Sequence, residues 1–482
     1  MADLGYDRST DVLVVGYGGA GAVAAITAHD LGAEVLVLEK TDEGGGNTKV
    51  SGGGILTPRD LEGAAKYLLS LLGDEVGTEM INAYVSYSSE VEAWIRSLGG
   101  EVEPHPVGAE FPSLPSATSM ARLRVKGPGT PSQNLWRCLH EAAHRRGIKA
   151  LTRTVAKLLI VEGGRVVGVL AENEDGSLRI RARRAVILTC GGFEYDGSLK
   201  ASFLVGGPYF AFGTPANTGD GVRMAQKVGA FLWRMKAVAA PIGYKFPEFP
   251  WAIASAFVIS PSVDPPPSYS FIYADRHGRR FMDESGVEFH LVGEVLSYFD
   301  PVGLDYPRTP SSVIFDELAR KAGPVARSGI GLNRGRYEWS RDNSVEVDRG
   351  WITKGSNIRE LAEKINMPPD SLADTITEYN EACAQRQADK FGRSPATLTP
   401  IDSPPFYAIL IWPCLVSTHG GPRRNSRGQI IDALGVPIPR LYGAGELGSL
   451  WGSVYQGGGM LAECLAFGRI AGENAAREEP SP

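Results

Sequence analysis

Gly16-Tyr17-Gly18-Gly19-Ala20-Gly21 has the spacing GxGxxG, and Glu39 stands 23 positions beyond Gly16. That pairing suits one kind of chemistry, holding the diphosphate of a dinucleotide. Gly16 permits a tight turn, Gly18 lets a pyrophosphate reach the backbone, and Gly21 lets a helix pack closely on a strand. The N-terminus of the alanine-rich helix that follows directs positive dipole at the phosphates. Glu39 is placed to bind ribose hydroxyls, and its charge repels a 2′-phosphate, so an unphosphorylated ribose is expected. A second chemical stretch lies near the other end of the chain, "SVYQGGGMLAECLAFGRIAG" (453–472), where Tyr455 precedes three glycines that open a helix. Gly457, Gly458 and Gly459 each cost backbone entropy and pack nothing, so something has to approach this backbone closely. His140 and His144, at i and i+4, have the spacing of a metal pair. No third ligand is near in sequence, and no metal is expected.

The elements that must position these residues can be read around them. Asp11 to Val15 is a short apolar strand, an alanine-rich helix runs to about Leu31, and Val35 to Leu38 is the next strand, ending at Glu39. "EGGGNTKVSGGGI" (43–55) follows, where a plain NAD domain would continue its alternation of strands and helices. Its small and hydroxyl residues (Asn47, Thr48, Ser51, Gly52, Gly53) suit a backbone-rich bed for a flat ring system. Residues 58–147 read mainly as helices, and "NLWRCLHEAAHRRG" (134–147) is amphipathic and ends at Gly147. "AKLLIVEGGRVVGVLAENEDGSLRIRARRAVILTC" alternates apolar and polar residues around GG and DG turns, which predicts a β-meander. From about 245 the texture changes, because "KFPEFPW" and "SPSVDPPPSYS" break the α/β rhythm. An inserted domain is expected over 248–403, closing near "TLTPIDSPP". The dinucleotide fold then occupies 1–247 and resumes over 404–482, with a short strand before Gly443-Ala444-Gly445-Glu446.

Composition sets the outer limits. A chain of 482 residues holds two or three domains with real cores, and 43% hydrophobic with 22% charged residues is ordinary for a globular protein. The net charge of −6 and the lack of a Lys/Arg block argue against a nucleic-acid partner. Five scattered cysteines (Cys138, Cys190, Cys383, Cys414, Cys464) form no CxxC, which fits a reducing compartment and excludes a redox dithiol. No signal-peptide core and no apolar run of membrane-spanning length is present, so a cytoplasmic protein is expected.

Taken in order along almost the whole chain, several motifs carry a resemblance: GYGGAG with Glu39, GGNTKVSGGGI, "AVILTCGGF" (185–193), "NTGDGVRMA" (217–225) and GAGE…GGGMLAECLAFGRIAG. The sequence resembles the fumarate reductase/succinate dehydrogenase flavoprotein superfamily and, within it, the 3-ketosteroid dehydrogenases. The resemblance implies an α/β fold: a Rossmann-like FAD-binding domain of the glutathione reductase type with an inserted α+β cap (catalytic) domain, the active site lying between cap and flavin. It adds Lys40, Val155, Gly191, Asp220, Gly445, Glu446, Met460 and Leu461 to the cofactor-binding residues. It also directs the free N–H groups of the helix at Gly459 toward the pyrimidine end of the flavin, where reduced flavin is negative. Asn47-Thr48 stand where covalent members carry the flavin-linking histidine. Residues 43–55 contain no histidine or cysteine, so FAD is expected to be noncovalent.

The same resemblance speaks to substrate. Fumarate reductases hold a dicarboxylate with cationic side chains, and three of those positions fall here on Ser417, Tyr455 and Glu288. A dicarboxylate substrate is therefore not expected. Tyr455 followed by Gly459 instead resembles the ketosteroid dehydrogenases, in which hydroxyl and N–H both bind the substrate's ketone oxygen. Two fixed donors suit a developing oxyanion. The family's basic tyrosine aligns at Glu288, leaving Glu288 and His290 as proton-transfer candidates with Tyr273 farther off. His419, before Gly420-Gly421, either positions the flavin through its backbone or touches substrate with its ring. The function implied is FAD-dependent oxidation or reduction of a CH–CH bond beside a ketone, in a steroid-like or other cyclic substrate. The alternative is a fumarate-reductase-like ene-reductase or flavin oxidase on a non-steroid, non-dicarboxylate substrate. No second nucleotide fingerprint is visible, so the electron partner is expected to be a quinone or a carrier protein.

Overall fold

The computed structural model describes residues 5–258, 270–327 and 329–481. Of the proline-rich "SPSVDPPPSYS", all but Ser270 lies outside the described residues. The chain forms two compact units. One comprises Met1–Phe203, Gly213–Val238 and Ser417–Pro482; the other comprises Leu204–Phe212 and Ala239–Val416.

The first unit is built on five parallel strands in the order Pro437–Gly443, Gly176–Leu188, Arg8–Val15, Val35–Leu38, Lys149–Leu151. Val35–Leu38 is buried at all four positions, as expected of a strand covered on both faces. The meander is present: Val155–Glu162 and Arg165–Asn173 pair antiparallel, and the second pairs antiparallel with Gly176–Leu188. Its first turn needs Gly163 and Gly164, both at positive φ (55° and 75°), the requirement of a tight hairpin turn. The helix Gly19–Asp30 packs on the C-terminal helix Gly459–Ala476. Gly468 and Gly472 permit this: a Cβ at either would lie 2.9 Å from the Ala20 carbonyl oxygen or 2.6 Å from that of Ala24. Between residues 58 and 147 lie the helices Leu61–Leu72, Thr78–Ser89, Val91–Ser97 and Pro131–Arg145. A three-stranded antiparallel sheet (Ile55–Pro58, Met120–Val125, Val102–Pro104) is interleaved with them, which the helical reading of this stretch omits.

The second unit centres on the strand Phe406–Leu415, flanked antiparallel by Ser311–Asp316 and Ile242–Tyr244. Phe271–Ala274 and Ile253–Ser255 extend the sheet on either side. This corrects the expected boundaries of 248–403. Ile242 pairs with Pro413 and Gly243 with Trp412 inside this sheet, and Phe210–Ala211 pairs with Cys414–Leu415. The proline-rich stretches mark loops within the unit and not its edges. Beneath the sheet, Arg280 binds Glu284 at 2.6 Å and Asp389 at 2.6 Å, while Arg393 binds Glu284 at 3.1 Å. The Glu284 and Arg393 side chains are fully buried. Glu284, in "RRFMDE", is thus an internal counter-charge. No described helix is long and apolar enough to cross a membrane.

Candidate active site

The strand–turn–helix at Gly16 sorts its glycines by what they face. Gly16 has φ +103°, and a Cβ there would meet the Thr189 carbonyl oxygen at 2.4 Å. A Cβ on Gly21 would meet the Gly16 carbonyl oxygen at 1.9 Å, so Gly21 lets the helix sit on the strand. Gly18 differs: a Cβ would meet only the Gly45 carbonyl oxygen, at 3.9 Å, and at Gly52 nothing lies within 4 Å. These two positions are open to a ligand, while Gly16 and Gly21 are closed by protein. Thr48 Oγ1 accepts the Gly19 N–H at 3.1 Å, tying the 43–55 loop to the first helical turn. Ser51 Oγ accepts the Gly53 N–H at 3.2 Å in the same loop. Gly53 (φ +77°) leaves room for Pro131 and Ser132, and Gly445 (φ +77°) for Ala20.

Glu39 is nearly buried and accepts the Tyr17 N–H at 2.9 Å through Oε2. Its Oε1 accepts the Thr41 N–H at 2.9 Å and hydroxyl at 2.7 Å. A carboxylate has about four lone-pair sites, so one site, on Oε2, is left for a ribose hydroxyl. Lys40 and Asp220 pair with each other at 2.7 Å, with Thr218 Oγ1 also 2.7 Å from the ammonium. Gly191 (φ +71°) closes over the Asn217 amide, and Val155 opens the first meander strand. The open glycines, the helix N-terminus and the acceptor at Glu39 fit the diphosphate and ribose of a dinucleotide.

At the C-terminal helix the three glycines have protein neighbours that the sequence alone does not disclose. Gly457 donates its N–H to Glu110 Oε2 at 2.6 Å, and a Cβ there would strike that carboxylate. Gly458 has φ +83°, the left-handed conformation, and caps the helix. Gly459 lies against Trp451, whose ring a Cβ would meet at 2.0 Å. The Gly459 N–H donates to the Gln456 carbonyl at 2.9 Å. The Met460 N–H donates to the Tyr455 hydroxyl oxygen at 3.2 Å. Two expectations are corrected here. Gly459 is not an open donor beside Tyr455, because the tight turn into the helix uses its N–H. The helix likewise does not present its first two N–H groups free, since those of Gly459 and Met460 are engaged.

Tyr455 is buried, with its ring 5.4 Å from Trp451 and 5.3 Å from His419 between centroids. Burial pushes its phenol well above the ordinary value, against the Met460 N–H, so it stays protonated and able to donate. Arg122 and Glu110, which sequence reasoning missed, form a buried ion pair at 2.5 Å near this ring. Gln456 completes the cluster, its Oε1 accepting from Tyr67 at 2.6 Å and from the Glu110 N–H at 2.9 Å. The glycine run signalled a close approach to this backbone, but not that a carboxylate makes it.

His419 is fully buried, with Nδ1 2.9 Å from the Gly452 carbonyl and Nε2 3.1 Å from Ser417 Oγ. A carbonyl only accepts, so Nδ1 carries the proton. Both ring nitrogens are engaged within the protein. In the second unit, Glu288 caps a short 3₁₀ turn. It accepts the His290 N–H at 2.7 Å and faces His290 Nδ1 at 3.0 Å. Tyr273 is fully buried and its hydroxyl is bound to the Phe257 carbonyl, so it is no proton carrier. His140 Nδ1 contacts the Tyr17 hydroxyl at 3.3 Å.

One expected result follows from Trp451. Its side chain is fully buried and edges on Tyr84 as well as Tyr455, so it has nowhere to retreat. Gly459→Ala should lower stability by about 1–3 kcal/mol, read as a lower Tm, and Trp451→Phe in the same chain should recover part of it. An unchanged Tm with a loss of activity alone would mean that a ligand, and not Trp451, requires the glycine.

Comparison with known proteins places this geometry. The 3-oxosteroid 1-dehydrogenase of Mycolicibacterium smegmatis is 28% identical, the match covering 96% of this chain and 96% of that protein. The NADH:acrylate oxidoreductase of Vibrio harveyi is 27% identical over 97% of this chain and 50% of that protein. The chain thus spans about half the length of that relative. Among solved structures, the 3-ketosteroid delta1-dehydrogenase of Sterolibacterium denitrificans, in complex with 1,4-androstadiene-3,17-dione, superposes with a TM-score of 0.84. That match covers 97% of this chain and 99% of that one at 21% identity, a likeness of fold. The FAD binding domain family matches residues 11–461, and the chain belongs to that family.

Proposed function

We propose that the protein is an FAD-dependent oxidoreductase that interconverts a CH–CH bond and a C=C bond beside the ketone of a cyclic, steroid-like substrate. The observation that carries this reading is Tyr455, a buried and protonated phenol at the mouth of the C-terminal helix, in a chain similar to 3-oxosteroid 1-dehydrogenases. Tyr455 donates to the ketone oxygen, which acidifies the α-carbon and stabilises the enolate that forms as its proton leaves. FAD, when bound, supplies the hydride acceptor or donor at N5 for the β-carbon. Glu288, hydrogen-bonded to His290, is proposed to take or return the α-proton. Trp451 and His419 hold the Tyr455 ring in place.

A second reading, an ene-reductase on a smaller non-dicarboxylate substrate, draws on the engaged Gly459 N–H. With the Gly459 N–H engaged, Tyr455 lacks that second donor, and a strongly polarised ketone is less of a requirement. Similarity to the vinyl phenol reductase of Lactiplantibacillus plantarum also favours it.

The test is anaerobic mixing of the holoprotein with 3-oxosteroids, simple cyclic ketones, vinyl phenols and dicarboxylates. Flavin bleaching by saturated ketones, or dye-linked reduction of their enones, is expected for the first class alone. Turnover confined to vinyl phenols would establish the second reading, and turnover of fumarate would overturn both. FAD is proposed to be noncovalent, so acid precipitation of the same preparation should leave the yellow colour in the supernatant.

A further inference from the structure

Glu194 follows Gly191-Gly192-Phe193 beyond the strand Gly176–Leu188, and Glu446 ends the GAGE segment beyond Pro437–Gly443. The two strands are parallel neighbours, with Leu188 opposite Gly443, so their continuations bring both acids to one place. Asn47 Nδ2 lies 2.9 Å from Glu194 Oε1 and 3.2 Å from Glu446 Oε2. Asn217 Nδ2 repeats the bridge at 3.1 Å and 3.4 Å. The Thr418 N–H donates to Glu446 Oε1 at 3.1 Å. The carboxyls are 1% and 7% exposed. A Cβ at Gly192 would lie 2.4 Å from Glu446 Oε1 and 2.7 Å from Glu194 Oε2, so these oxygens turn toward one point.

No lysine or arginine among the described residues is paired with either acid. The Lys40 ammonium belongs to Asp220, Arg223 to Asp196, and the buried Arg424 to Glu463. Amide donors alone do not sustain two adjacent buried carboxylates. We infer that Glu194 and Glu446 share a single proton, and that loss of this proton at alkaline pH loosens FAD from the cradle. Burial, reinforced by the neighbouring Glu194 charge, pushes Glu446 well above the ordinary carboxylate range; burial raises Glu194 as well. Both acids are thus biased toward the neutral form, and the pair holds one proton between them.

The link to cofactor rests on reading the open glycines and helix N-terminus as the FAD cradle. Asn47 is joined to Thr48, which binds the Gly19 N–H, and Gly445 packs on Ala20. A second negative charge here opposes an anionic diphosphate. The nearby thiols Cys190 and Cys464 are pushed by burial up to about 12, so they stay neutral while the pair titrates. The sign follows from linkage. The anionic diphosphate makes the pair hold its proton more tightly with FAD bound than without it, which favours the bound state at low pH. That advantage is lost as pH rises through the pair's raised value.

The test measures FAD dissociation constants of the full chain from acid to alkaline pH, together with infrared spectra of the protonated-carboxyl band. Wild type should show the band at neutral pH, and its affinity should fall about tenfold per pH unit once the last proton leaves. Glu446→Gln, a permanent stand-in for the protonated acid, should lack the band and bind FAD with a flat alkaline limb. Glu194→Gln, which likewise limits the pair to one charge, should also flatten the alkaline limb and serves if Glu446→Gln folds poorly. Absence of the band in wild type, or an alkaline limb unchanged by both variants, overturns the inference. A chain that shows the band yet binds no FAD at any pH would instead overturn the cradle reading.

Discussion

Glu284→Ala should lower the stability of the second unit by about 3–5 kcal/mol, a fall in Tm of about 6–20 °C. The expectation comes from what the substitution leaves behind. Arg393, fully buried, loses its carboxylate at 3.1 Å, and Arg280 keeps only Asp389. The Tyr273 N–H, which Glu284 Oε1 accepts at 3.1 Å, is orphaned on a fully buried strand. A buried guanidinium without its partner costs far more than the pair itself contributes. Glu284→Gln should fall between, because an amide oxygen still accepts the Tyr273 N–H while the charge is gone. Denaturant melts of both variants and wild type check the order. A loss below about 1 kcal/mol for Glu284→Ala, the scale of an exposed ion pair, would show that water reaches the cluster.

This residue also shows where sequence reading stops. Within "RRFMDE" only Arg280 is a partner of Glu284, and the others that define it lie at 273 and 393. Local signals were legible. The GxGxxG turn, Val35–Leu38, the GG hairpin and the glycine-capped C-terminal helix each depend on residues within a few positions. Contacts set by the tertiary fold were not. Gly457 answers to Glu110 and Gly459 to Trp451, and nothing in a run of three glycines says which neighbour each one admits. Glu194 follows the recognisable "CGGF" by one residue, but its meaning appears only when Leu188 and Gly443 are seen side by side. The inserted domain was misjudged at both ends for a related reason. Its central strand, Phe406–Leu415, looks like a return to the dinucleotide fold until its partners Ser311–Asp316 and Ile242–Tyr244 are known.

Tyr455→Phe should lower turnover of an accepted ketone by about 10²–10³, the usual loss for one donor to a developing oxyanion. The ring remains, and with it the contacts to Trp451 and His419, so the site keeps its shape. What disappears is a hydroxyl that accepts the Met460 N–H and that burial keeps protonated well into the alkaline range. The orphaned Met460 N–H costs about 1–3 kcal/mol of stability, which a melt measures separately from rate. Substrate binding should weaken far less than turnover, because the donor matters most when negative charge has moved onto oxygen. The Gly459 N–H, engaged with the Gln456 carbonyl, is not ready to replace the lost hydroxyl. Stopped-flow flavin reduction of Tyr455→Phe against wild type, at saturating ketone, isolates the chemical step. A proportional rise in KM with the limiting rate unchanged would assign Tyr455 to binding. Unchanged reduction and unchanged binding would make it a packing residue held between Trp451 and His419, and the donor role would pass to another group.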